Sequence, residues 1–166
     1  MVKKQVLLAT AVVQVLDSCG VPHPCRALLD PGAMANFVSE RIVEVLCLRK
    51  ESVGIPVIGV NGMKSSVKFK AHAIVKSRAM QYEFGMDYLI VPRVTSVLPS
   101  RKFDVTDWPI PIDLVLADRK FNKPSRIDML IGAEVFYELM VKSKCPTIFA
   151  TTARKHAGMA CSRTSS

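Results

Sequence analysis

Arg26-Ala27-Leu28-Leu29-Asp30-Pro31-Gly32-Ala33 carries one acidic side chain straight from an apolar run into a tight turn. A carboxylate buried without a partner is disfavoured by several kcal/mol, so an aspartate in this position needs a reason. Aspartate before Pro-Gly is also ordinary turn punctuation, since Pro fixes φ and Gly tolerates the reversal. The chemical reading is different: a carboxylate held at a strand end, backed by apolar residues and facing a second carboxylate, is equipped for acid–base hydrolysis. The rest of the chain decides between them.

Upstream, Gln5 to Leu16 is rich in Val and Leu and reads as a strand, and Val21 to Cys25, with two prolines, reads as a connecting loop. Downstream the period changes. Val38, Ile42, Val45 and Leu46 recur at helical spacing, with Asn36 as a suitable N-cap, which predicts a short amphipathic helix behind the Asp30 turn. Ile55 to Gly62 and then Val67, Phe69, Ala71, Ala73 and Val75 alternate on either side of Gly59-Val60-Asn61-Gly62, which predicts a β-hairpin, because Asn-Gly supplies the positive φ that such turns demand. Tyr82 to Val91 reads as another strand, stopped by Pro92. Thr95 to Arg126, with four prolines, is irregular. Ile127 to Ala133 reads as a buried strand and Glu134 to Met140 as a helix with Val135, Phe136, Leu139 and Met140 on one face.

The chain has 166 residues, 49% of them hydrophobic and 22% charged, which fits one globular domain and excludes a disordered one. Its net charge of +9 is concentrated at the end: Lys142, Lys144, Arg154, Lys155 and Arg163 face no acid. That places residues 142–166 as a basic, poorly ordered tail, capable at most of weak, sequence-independent contact with nucleic acid. The five cysteines are scattered without Cys-x-x-Cys or a matching His spacing, so they read as free thiols in a reducing, cytoplasmic setting, and no metal site is expected. Met1-Val2-Lys3-Lys4 followed by apolar residues imitates a secretory signal, but Gln5, Thr10 and Gln14 interrupt it, and nothing approaches the roughly 20 apolar residues of a membrane span. His23, His72 and His156 are far apart and read as solvated or strand-surface residues. The motifs Gly-x-Ser-x-Gly, His-Glu-x-x-His and Gly-x-x-x-x-Gly-Lys are absent.

Taken in order, Ala27 to Ala33, Ile58 to Gly62 and Leu130 to Ala133 resemble the three landmarks of retroviral-type aspartic peptidases: the Asp-Ser/Thr-Gly-Ala loop, the glycine-rich flap and the apolar-apolar-Gly element before the last helix. Pro24 to Asp30, Asn36-Phe37-Val38, Leu98-Pro99, Leu116-Ala117-Asp118, Lys123-Pro124 and Ile127 to Ala133 look, more narrowly, like the peptidase region of Bel/Pao-type retrotransposon polyproteins. The likeness covers about Leu7 to Met140. It implies a mostly β, retropepsin-like closed barrel, the half-unit of an acid protease, with a flap hairpin, a short helix after the aspartate loop and a C-terminal helix. The domain would span residues 1–141, with 94–126 as an irregular insertion.

By the same resemblance Asp30 is catalytic, Gly32 and Ala33 line the floor beside a peptide or polyprotein substrate, and Gly59, Val60, Asn61 and Gly62 form the flap tip. One such loop per chain implies a homodimer whose two Asp30 carboxylates share a proton across the twofold axis and activate a water, with no cofactor. Pro31 departs from the family, which has Ser or Thr there; it removes a hydroxyl that tethers the two loops. Glu134, where the family more often has Asp, and the tail after Met140 depart as well. Two other readings therefore stand beside the peptidase: a catalytically impaired remnant serving as a dimerisation or peptide-binding module, and a basic nucleic-acid-binding fragment supported by charge alone.

Overall fold

A computed structural model describes residues 7–58, 62, 64–78 and 81–142 of the chain. Its elements run β1 (Thr10–Leu16), β2 (Pro22–Leu29), β3 (Phe37–Ser39), α1 (Glu40–Val45), β4 (Lys50–Ile58), β5 (Lys64–Lys76), β6 (Glu83–Val91), β7 (Met129–Ile131) and α2 (Ala133–Lys142). The architecture is mostly β with two short helices. The strands form one sheet in the order β1-β2-β7-β3-β6-β5-β4, and β1 also pairs with β5 through Gln14↔Lys76 and Val15↔Val75, so the sheet curls until these two strands meet.

β1 and β2 make an antiparallel hairpin from Thr10↔Leu28 to Leu16↔Pro22. The Asp17 carboxylate sets its turn, accepting the Cys19 and Val21 N–H groups at 2.8 and 2.9 Å and pairing with His23 Nε2 at 2.8 Å. The expected loop over Val21 to Cys25 is corrected here: most of it is strand. The Asp17 N–H bonds the Val21 carbonyl. With a two-residue period, His23 and Cys25 then turn their backbone groups to β1 and the two prolines turn theirs away. Of β2, only Ala27 to Leu29 pair with β7, so Pro22 and Pro24 face an edge where no N–H is required.

The first helix starts later than expected, at Glu40. Phe37 to Ser39 are a strand rather than helix, held between β7 (Phe37↔Leu130, antiparallel) and β6 (Phe37↔Leu89, parallel). The cap is Ser39, whose Oγ accepts the Ile42 N–H at 3.4 Å, and not Asn36. Pairing on both sides outweighs the local helical pattern here. The inward face of α1 is accordingly Ile42, Val43 and Leu46, while Val45 is exposed.

β6 begins within a residue of the expected strand, whereas β1 starts at Thr10, with residues 7–9 outside any strand, and β4 starts at Lys50, five residues before Ile55. β4 and β5 are antiparallel, with a bulge between Ser52 and Ile55, and on β5 the alternating Val67, Ala71, Ala73 and Val75 are buried, whereas Phe69 is exposed. The core joins Ala71, Ala73 and Val75 to Val15, Ala27, Leu29, Val38, Tyr88, Ile90, Met129, Ile131 and Val135. β7 is shorter than the expected 127–133 strand, and α2 begins one residue earlier, at Ala133. Leu139 and Met140, placed on the apolar face of α2, and the tail from Ser143 lie outside the residues whose side chains are described. Among the described residues no helix is long and apolar enough to cross a membrane.

Between β6 and β7 the chain is irregular apart from the Leu98↔Ser125 bridge. Inside it the rings of Phe103, Trp108 and Phe121 cluster at centroid distances of 5.5 to 5.9 Å. What pins this excursion to the sheet is a buried ion pair: Arg26 Nε donates to Asp118 Oδ2 at 2.6 Å, and Arg26 Nη1 donates to the Leu98 and Ser125 carbonyls at 2.5 and 3.2 Å. Thr10 Oγ1 adds a bond to Asp118 Oδ2 at 2.7 Å.

Candidate active site

Asp30 stands one residue past the end of β2, beside the parallel strand β7. Its N–H extends their ladder by a step, donating to the Ile131 carbonyl at 2.9 Å. The loop then folds on itself. Gly32 N–H donates to Asp30 Oδ1 at 2.9 Å and Ala33 N–H to the Asp30 carbonyl at 3.2 Å. This local bond is the kind that makes Asp a turn former. The side chain is half-buried, and among the described residues its Oδ2 has no hydrogen-bond partner and no counter-ion. The arrangement fixes one carboxylate oxygen and leaves the other able to hold a proton or a water.

The loop from Pro31 to Ala35 is laid against the junction of β7 and α2. Ala133 N–H donates to the Ala33 carbonyl at 2.9 Å, and Gly132 N–H donates to Asn36 Oδ1 at 2.7 Å. Gly132 is required by this approach: a Cβ there would lie 2.7 Å from the Ala33 carbonyl oxygen and 2.8 Å from that of Ala35. Asn36 is 8% exposed, and it also receives the Leu89 N–H on its carbonyl at 2.9 Å and points its Nδ2 at the Met86 sulfur at 3.3 Å. One buried side chain thus ties the Asp30 loop to β6 and to the start of α2.

Of the residues predicted for the site, the structure places Asp30, Gly32 and Ala33 in this one loop. Pro31 is exposed, as is Met34. Gly62, at the end of the β4–β5 turn, has φ +75°, the left-handed geometry that Asn-Gly predicts. Gly59, Val60 and Asn61 lie outside the described residues. No group of three or more His, Cys, Asp or Glu side chains suited to a metal ion occurs among the described residues.

Sequence reasoning missed three features. Asn36 is a loop tie rather than a helix cap. Arg26, inside the strand that delivers Asp30, is 8% exposed and carries the Asp118 pair. Asp128 is 6% exposed and accepts Ser39 Oγ at 2.7 Å and Arg41 Nε at 3.2 Å, while Arg41 Nη2 meets its second oxygen. Charged residues within apolar strand sequence, Arg26 before Ala-Leu-Leu and Asp128 after Ile127, were the available signal.

No protein family matches the chain, and no curated protein matches it. Among solved structures, the EIAV protease complexed with the inhibitor HBY-793 is similar over 83% of this chain and 90% of its own, at 18% sequence identity and a TM-score of 0.46.

Proposed function

We propose that the chain is one protomer of an aspartic endopeptidase that cuts peptide bonds in a polyprotein of the Bel/Pao retrotransposon type, the class its sequence resembles. The observation that carries the reading is the state of Asp30: a half-buried carboxylate at a strand end, one oxygen held by the Gly32 N–H and the other without a partner among the described residues. Two such groups brought together by a second copy would repel as dianions, share one proton and titrate as a pair. The ionised member then takes a proton from a water that attacks the scissile carbonyl, and the protonated member hydrogen-bonds the developing oxyanion. The β4–β5 hairpin is the element that would close over the substrate.

A second reading keeps the dimer and removes the chemistry, and Pro31 favours it, because the loop offers no hydroxyl at that position to fasten one protomer to the other. Cleavage of a peptide spanning a flanking polyprotein junction, assayed at mildly acidic pH with sedimentation alongside, separates the two. Activity abolished by Asp30→Asn establishes the peptidase. A dimer that cuts nothing establishes the binding module, and a chain that stays monomeric at high concentration ends both readings.

A further inference from the structure

We propose that the pocket between the β3–α1 junction, the end of β6 and the start of β7 binds the phosphate group of an organic phosphomonoester. It encloses about 320 Å³ and is lined by Arg41, Arg93, Arg126, Ser39, Thr95 and Asp128, with Pro92 and Val97 as an apolar wall. Its lining carries three arginines and one carboxylate.

That carboxylate is already satisfied. Asp128 takes Ser39 Oγ and Arg41 Nε on one oxygen and Arg41 Nη2 on the other, so it neutralises Arg41 and holds it in place. Arg93 and Arg126 line the pocket, are exposed and have no hydrogen-bond or ion-pair partner among the described residues. Two uncompensated positive charges match the charge of about −1.5 to −2 on a phosphomonoester near neutral pH better than the single charge of a phosphodiester. The guanidinium fork suits phosphate oxygens, and the Thr95 hydroxyl adds a donor. The volume exceeds that of a bare phosphate, which leaves the Pro92 and Val97 side for an organic body.

The pocket is separate from the Asp30 loop. Asp128 precedes β7 and Asp30 lies beside the far end of that strand, so the two are roughly 10 Å apart along the ladder at about 3.3 Å per residue. Its walls come from both ends of the 94–126 excursion as well as from the sheet. An occupant would therefore brace that excursion and stabilise the fold by mass action. Neither point depends on peptidase activity.

Calorimetric titration of the whole chain with inorganic phosphate and with phenyl phosphate tests the assignment. Expected are one saturable site per chain, tighter binding of phenyl phosphate, a ligand-dependent rise in Tm, and affinity lowered about tenfold or more by Arg93→Gln or Arg126→Gln. Lys68→Gln and Lys120→Gln remove the same charge elsewhere and leave binding unchanged. Failure to saturate, or binding that persists in a folded Arg93→Gln/Arg126→Gln double variant, overturns the proposal. So does displacement of phosphate by an oligonucleotide without a terminal phosphate as readily as by phenyl phosphate, which would make the pocket a contact for a nucleic-acid backbone.

Discussion

Asn36 Oδ1 accepts the Gly132 N–H at 2.7 Å, so a buried amide at the head of α2 is served by a side chain of the segment that follows Asp30. Asn36→Ala leaves that N–H unsatisfied, and a loss of about 1–3 kcal/mol in unfolding free energy is expected. Urea denaturation followed by far-UV circular dichroism measures it. If the loss is accompanied by a fall in peptide cleavage at temperatures where the variant is still folded, the tie also positions Asp30.

Gly132→Ala tests the same junction from the other side. At an unconstrained glycine this change commonly stabilises by about 0.4–1 kcal/mol through the unfolded chain. Here the new Cβ would meet the Ala33 and Ala35 carbonyl oxygens at 2.7 and 2.8 Å, so the sign reverses and a destabilisation of about 1–3 kcal/mol is expected. A neutral or raised Tm would mean that the loop can move away.

The Arg26–Asp118 pair makes a prediction about the long excursion. With side-chain exposures of 8% and 2%, removing one partner strands the other charge, and Arg26→Met or Asp118→Leu alone is expected to cost about 3–5 kcal/mol. Replacing both with apolar residues should recover much of that loss, because the desolvation penalty goes with the charges. Trp108 packs on Phe103 and Phe121 within the excursion, so its fluorescence reports whether the segment detaches in the single variants.

Part of the acid stability follows from two of the carboxylates whose pKa is lowered, Asp17 and Asp87. Hydrogen bonding to His23 lowers the pKa of Asp17 from 3.8, and hydrogen bonding to Lys70, then to His72, lowers that of Asp87 from 3.8. A depressed folded-state pKa means stability that is present above 3.8 and lost as pH falls through the lower, folded value. Both groups are solvent-facing, so the effect is modest and weakens with salt. Asp17→Asn/Asp87→Asn is expected to flatten the loss of stability below that pH while leaving the slope near pH 5 unchanged. A mildly acidic peptidase assay therefore runs above this window.

Much of the scaffold was legible because side-chain period survives burial on one face: β5, with Val67, Ala71, Ala73 and Val75 turned inward, is read directly from alternation. The Asn61-Gly62 signal likewise gives the positive φ at Gly62. What local pattern could not supply was the partner on the far side. Phe37 to Ser39 look helical until β6 and β7 flank them, and Pro22 and Pro24 look like a loop until one side of β2 proves to be an open edge. Asp30 was legible as a carboxylate leaving a strand for a turn, because an apolar run leads straight into Pro31-Gly32. Arg26 and Asp128 were not, since each is explained only by a residue about 90 positions away in sequence: Asp118 for the one, Ser39 and Arg41 for the other.

Pro31→Ser tests the proposed pairing of two Asp30 loops. The Asp30 loop is shaped by Asp30 N–H to Ile131, Gly32 N–H to Asp30 Oδ1 and Ala33 N–H to the Asp30 carbonyl, and none of these uses a donor from residue 31. Pro31 is exposed, so a serine fits there without displacing packed atoms, and stability should change by no more than about 1 kcal/mol. What the serine adds is a hydroxyl able to bond the loop of a second protomer. If misplacement of the paired carboxylates limits the rate, fixing them is expected to raise kcat/KM by up to about 100-fold and to tighten the dimer seen by sedimentation. A dimer that tightens while cleavage stays at the Asp30→Asn background would place the defect beyond the loop and leave the binding-module reading standing.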